Sequence, residues 1–244
     1  MNMELEAQSG GEAPPYDFYF TTGRNIGTPL SEVPTVGHTW LPIFHPVVVD
    51  LFDPIPPPEH SAFTTVMKWR SYKPVEYDGR SFGSKDVEFD KFRGLPGRVG
   101  VDLELALTGS EADREVLEAE GWRVRDGRDV TRSVESFFAY IRGSRGEFSV
   151  AKNVFVDSAC GWFSDRSAVY LANGRPVVLQ ETGFSEHLPC GEGLFAVSNA
   201  DEAGAAIAEI SSDYDRHSKR ARDIATGFLD SSTVLSEFLN RVGI

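Results

Sequence analysis

The chain has 244 residues, 41% of them apolar and 25% charged, which suits one large or two small globular domains. Its formal net charge of −13 (37 acidic against 24 basic residues) argues against broad binding of nucleic acid or anionic membrane, while leaving room for a local basic pocket. No apolar run approaches the ~18 residues needed to span a bilayer. Two cysteines, Cys160 and Cys190, lack metal-ligand spacing and read as free thiols of a cytoplasmic chain.

Residues 1–15, rich in Gly, Glu and Pro, read as a disordered leader. They carry no basic patch followed by an apolar core and so make no secretory signal. Residues 16–60 read as an irregular connector. "PIPPPEH" and several other X-Pro pairs keep the backbone extended, so a domain boundary is placed near residue 60. The pattern then becomes regular. Strands are expected over 62–69, 99–107, 122–126, 153–158, 175–180 and 193–198. Helices are expected over 86–98, ending at Gly94, and over 110–122, 133–143 and 166–174, followed by a long helical region over 199–229 and a last helix over 231–242. Ser110 is suited to cap the second of these, with acidic residues in its first turn and Gly121 at its close. Ala203, Ala206, Ile207 and Ile210 form one apolar face. This alternation predicts an α/β fold: a Rossmann-like parallel sheet with helices on both faces.

Ligands of such sheets lie beyond the carboxyl ends of the strands. The turns expected there contain four groups of candidates. Arg70, in "KWRSYKP", is a phosphate partner or a surface arginine beside a packed Trp69. Around "CGWFSDRS", Gly161, Ser164, Arg166 and Ser167 bring a turn, a hydroxyl, a guanidinium and a helix N-terminus together. That arrangement suits a pyrophosphate, and plain capping by Ser164 or Asp165 is the commoner alternative. Glu181, Thr182 and Gly183 form a turn whose acidic side chain suits sugar hydroxyls; the nearby His187 reads as a loop histidine. Lys152, expected ahead of a strand, is the fourth, with a surface lysine as the favoured alternative. No GxSxG, HExxH, CxxC or phosphate-loop motif occurs, so neither a hydrolase triad nor a metal site is supported, and no cofactor is called for.

From about residue 147 the chain resembles the C-terminal, donor-binding half of GT-B glycosyltransferases, especially the spore-maturation-type and glycosyltransferase-1-like enzymes. The carriers are the loop with Arg166, the "LANGRPVV" run at 171–178, the "ETG" turn and "GEGLFAV". "DEA" opening a helix, a trailing "H…AR.IA" helix and Asp230-Ser231 complete the set. The resemblance implies a nucleotide-diphosphate sugar as partner. Its pyrophosphate would lie near Ser164, Arg166 and Ser167, its sugar near Glu181, Thr182 and Gly183, with Arg70 as a further phosphate contact. Two departures stand out. Val169 occupies a position where such enzymes commonly carry a ribose-holding glutamate, and only one of the two GT-B halves is accounted for. The base in this fold usually comes from the other half, so no catalytic residue is assigned. The readings that follow are a glycosyltransferase donor half, a non-catalytic nucleotide- or sugar-binding module, and an interaction protein that forms oligomers or borrows an acceptor-binding partner.

Overall fold

The computed structural model describes residues 16–244; the leader expected over 1–15 lies outside them. Its centre is a six-stranded, wholly parallel sheet in the order β10-β9-β8-β3-β6-β7. The strands are β3 (Phe63–Lys68), β6 (Leu103–Thr108), β7 (Arg123–Asp126), β8 (Gly146–Ser149), β9 (Val177–Gln180) and β10 (Leu194–Val197). The chain starts at β3, winds outward through β6 and β7, then returns to β3's other side and winds out through β8, β9 and β10. The direction reverses between β3 and β8, and the mouth of a doubly wound sheet lies at such a switch point.

Alternate side chains feed two cores, as the two-residue period of a strand requires. In β9, Val178 joins the core that Phe89, Leu117, Ile207 and Ile210 build on one face. Val177 and Leu179 join Ile141, Tyr170, Leu171 and Ile224 on the other. The expected apolar face of helix Ala200–Ser212 is the buried one: Ala203, Ala206, Ile207 and Ile210 are all within it. Helix Glu111–Ala119 carries a reciprocal capping box between Ser110 and Asp113, and helix Val134–Arg142 another between Ser133 and Ser136. No helix among the described residues is long and apolar enough to cross a membrane.

Residues 16–60 hold little regular structure: a two-stranded pair, β1 (Tyr19–Thr21) with β2 (Trp40–Pro42), and one short 3-10 turn at Val49–Leu51. They nonetheless supply Val47, Val49 and Phe52 to the second core. Backbone bonds tie Val47 N to Leu229 O (2.9 Å) and Ser231 N to Val47 O (2.9 Å). Two arginines clamp the same stretch: Arg175 donates to Ile55 O (2.8 Å) and Arg222 to Phe52 O (2.6 Å).

Three expected elements differ. Residues 153–158 are not a strand: Asn153–Asp157 form a short helix, and the strand is Gly146–Ser149 just before it. "VFV" is too short to separate a buried strand from a helical turn by periodicity. Lys152 therefore follows a strand instead of preceding one, and stands at the carboxyl end of the sheet. The helix expected over 86–98 is shorter, Lys85–Phe89, with a separate 3-10 turn Leu95–Arg98 containing Pro96. The long region 199–229 divides at Asp213 into helices Ala200–Ser212 and Tyr214–Ile224, and ends in a π-helical turn, Ala225–Leu229.

Candidate functional site

Four chain segments meet beyond the carboxyl ends of β3, β8 and β9. After β3 the backbone runs through Trp69 and Arg70, makes a hairpin of β4 (Val75–Tyr77) and β5 (Arg80–Phe82), and enters helix Lys85–Phe89. Ser84, at the head of that helix, accepts from the amides of Ser71 (3.0 Å) and Tyr72 (3.4 Å), which pins the hairpin's stem. After β8 come Lys152 and helix Asn153–Asp157; Asn153 accepts from Gly83 N (2.9 Å) and donates to Glu88 (2.9 Å). Glu88, 1% exposed, also accepts from Lys91 (2.7 Å) and from Gln180 at the end of β9. Gln180 in turn accepts from Ala151 N (3.1 Å). A buried carboxylate with three partners is well compensated. It locks the loops after β3, β8 and β9 to one another and so sets the floor of the mouth.

Lys85 opens helix Lys85–Phe89 and is only 6% exposed. Its ammonium has no hydrogen-bond or ion-pair partner among the described residues. Burial, reinforced by the nearby Arg166 guanidinium and only partly opposed by Glu147, pushes its pKa well below the ordinary lysine value. No sequence motif marks Lys85. It looks like any charged residue in the first turn of a helix, and only the fold turns it inward beside Arg166.

Arg166 lies in the first turn of helix Asp165–Ala172 and is nearly enclosed. It donates to Glu147 (2.6 Å), to Val66 O (2.7 Å) and to Ser149, so its fork ties β3, β8 and the helix together. Burial lowers the Arg166 pKa, but Glu147, joined by Tyr170 and Asp165, raises it above the ordinary value on balance. Ser167 is wholly buried, its hydroxyl without a partner among the described residues. Ser164 stands at the N-cap, 1% exposed, yet its side chain caps nothing, so the first-turn amides carry no side-chain cap.

The turns on either side are held by one residue from the amino-terminal segment. Asn25 donates to Ala159 O (2.8 Å) and Gly183 O (3.4 Å), and its amide N–H reaches Cys160 O (2.9 Å). Gly161 and Gly183 both have positive φ, +76° and +92°. A Cβ on Gly161 would stand 2.9 Å from Asn25 N. Gly161 N donates to Thr182 O (2.6 Å), and the Thr182 hydroxyl donates to Trp162 O (2.6 Å). Glu181 folds into its own turn and accepts from the amides of Thr182 (2.8 Å) and Gly183. His187 meets Asn25 Oδ1 at 2.7 Å, and burial lowers its pKa. Gly161, Ser164, Glu181, Thr182 and Gly183 are thus brought together. Arg70 lies apart on the rim, its side chain 62% exposed and paired with Asp86 (2.7 Å) and Asp113 (3.4 Å). Val169 packs against the second core.

No family model matches the chain, and no curated protein sequence matches it. Solved structures do. The fold is similar to that of AviGT4, a glycosyltransferase involved in avilamycin A biosynthesis (TM-score 0.54, 15% identity, 84% of this chain and 58% of that one). It is similar to a glycosyltransferase from Rickettsia africae ESF-5 (TM-score 0.54, 15% identity, 82% and 56%). It is also similar to the pneumococcal O-GlcNAc transferase GtfA in complex with UDP and GlcNAc (TM-score 0.52, 9% identity, 84% and 40%). The chain has the α/β arrangement of a GT-B half, and it spans about half the length, or less, of these structures.

Proposed function

We propose that this chain is the donor-binding half of a GT-B glycosyltransferase and holds a nucleoside diphosphate sugar at the β3–β8 switch point. Lys85 carries the proposal. A buried ammonium whose charge is only partly offset by Glu147 and Asp165 is costly, and an entering diphosphate supplies further opposite charge. The uncapped first turn of helix Asp165–Ala172, headed by Ser164, offers backbone donors to the same group. Lys152 stands at the side of the mouth toward a neighbouring cavity, and Arg70 on its rim. Arg166 acts beneath them, fixing the helix to β8 through Glu147. The turn of Glu181, Thr182 and Gly183, beside Gly161, lies where the sugar would project. In the transfer, an acceptor hydroxyl oxygen bonds to the anomeric carbon as the bond to the diphosphate oxygen breaks, and its proton passes to a base that the other half would supply. Lys85 and the helix amides stabilise the charge that gathers on the leaving group. The UDP and GlcNAc carried by GtfA support this class of ligand.

Thermal-shift titration with nucleoside diphosphates is the test. A ligand at ~100 times its dissociation constant raises stability by roughly 2.7 kcal/mol, and Lys85→Met should remove most of that shift. Equal shifts in the wild type and the variant, or none in the wild type, would reject the site. Val169 favours a second reading, a binding module without turnover, since its apolar side chain offers nothing to a ribose hydroxyl. Diphosphate binding with no sugar release, tested with candidate acceptors present, would select the module.

A further inference from the structure

Beside the proposed diphosphate site lies a cavity of about 520 Å³, walled on one side by the amino-terminal segment and on the other by the β4–β5 hairpin and helix Asn153–Asp157. Four rings line it, those of Trp40, Tyr72, Phe82 and Phe155, together with one charge, Lys152. The rings are held before any ligand arrives. Trp40 Nε1 donates to Thr35 O (2.9 Å), Tyr72 OH donates to Gly83 O (2.8 Å), and Phe155 stacks on Trp162 at 4.6 Å. Lys152 Nζ lies 5.4 Å from the Tyr72 ring centre and 5.6 Å from that of Phe155, and has no anionic partner among the described residues. Val36, on the wall, adopts φ +54°, rare for a β-branched residue, and Ala159 beside the lining Cys160 adopts φ +44°. Strain of this kind gathers at ligand clamps.

The lining selects a chemistry. A sugar would bury many hydroxyls here, each needing a partner. Two aliphatic hydroxyls line it, each already partly engaged: Ser158 donates to Val154 O (2.5 Å), and Thr21 accepts from Gly23 N (3.0 Å), too few to partner a sugar's hydroxyls. A dianionic phosphate would need more donors than one ammonium. A flat apolar body with a single negative charge satisfies every wall, its rings against the aromatic faces and its charge on Lys152. We propose that this cavity takes an aromatic monocarboxylic acid, held by Lys152 among Trp40, Tyr72, Phe82 and Phe155.

Calorimetry with para-hydroxycinnamate and its uncharged methyl ester on the full chain tests this. The acid should bind saturably and more tightly than the ester. Lys152→Met should weaken the acid by about tenfold or more and leave the ester unchanged. Val75→Trp, which fills the cavity from the hairpin, should block both, with melting curves establishing that the variants fold. No binding of the acid, equal binding of acid and ester, or indifference to both variants would overturn the proposal. So would one-for-one displacement of the acid by a nucleoside diphosphate, which would give the cavity to the donor. Acid binding that follows this pattern while diphosphate binding fails would refute the donor reading and leave the aromatic-acid site standing.

Discussion

At the residue scale, Lys85 and Arg166 are both cations under the mouth of the sheet, yet their positions set opposite expectations. Arg166 is compensated by direct bonds to Glu147, Ser149 and a carbonyl, and Lys85 only by the more distant charges of Glu147 and Asp165. Removing Lys85 should therefore relieve the free protein. Its folded pKa lies below the ordinary 10.5 because burial, then Arg166, disfavours the charge. Between that depressed value and the ordinary one the unfolded chain binds more protons than the folded chain. Stability contributed here thus rises with pH across that window. Lys85→Met should flatten this slope and raise stability near neutrality, read as melting temperature against pH. Diphosphate affinity should run the other way and weaken as pH rises through the depressed pKa, because the neutral amine no longer pairs with an anion. Truncating Arg166 instead strands Glu147, already with one unpartnered oxygen, as a buried charge. Arg166→Met should cost about 3–5 kcal/mol, and adding Glu147→Gln should recover much of it in chemical denaturation. Loss of ligand binding in an Arg166 variant would consequently report a damaged scaffold.

At the scale of elements, two glycines separate a fixed turn from a tolerant one. Gly183 sits at φ +92°, where an added Cβ would run into Asn25 and lie 2.9 Å from Ala159 O. Gly183→Ala should cost about 2 kcal/mol or more. Gly227, in the exposed π-helical turn, has nothing near its missing Cβ, and Gly227→Ala should be neutral or stabilising by up to about 1 kcal/mol. Urea denaturation of the pair checks both. The same local view explains what was legible beforehand. Ser110 and the helices over 133–143 and 231–242 announce themselves through cap and period, and the parallel sheet follows from the alternation. Residues 153–157 do not, because five residues of mixed apolar character fit strand and helix alike. Ser164 takes the N-cap position, but its hydroxyl caps nothing. Gly161 and Gly183 were readable as turn glycines. Lys85, Asn25 and the Glu88–Asn153–Gln180 network were not: their partners lie far away along the chain, and only the sheet order brings them together.

At the scale of the whole molecule, the question is whether the proline-rich amino-terminal stretch belongs to the same folding unit as the sheet. Phe52 answers it most directly. Its side chain is 2% exposed, meets Phe138 edge-on at 4.8 Å, and sits in the core formed by β9 and helices Asp165–Ala172 and Tyr214–Ile224. Its carbonyl is a target of Arg222, whose other partner is Ala172 O. Phe52→Ala should cost about 3–5 kcal/mol, the range for an enclosed aromatic. Trp69 and Trp122 lie in the opposite core, beyond the sheet from Phe52. If residues 16–60 fold with the rest, near-ultraviolet circular dichroism in a Trp40→Phe, Trp162→Phe background, which retains Trp69 and Trp122, and far-ultraviolet signal from the helices should fall together, at one lowered midpoint. An early loss confined to part of the signal, with Trp69 and Trp122 unmoved, would mean that the segment docks onto a sheet already stable without it. Single-transition behaviour also bears on the mouth. Asn25 and Trp40 come from the same segment, so a change that frees it should loosen the Gly161 and Gly183 turns and open the aromatic cavity together.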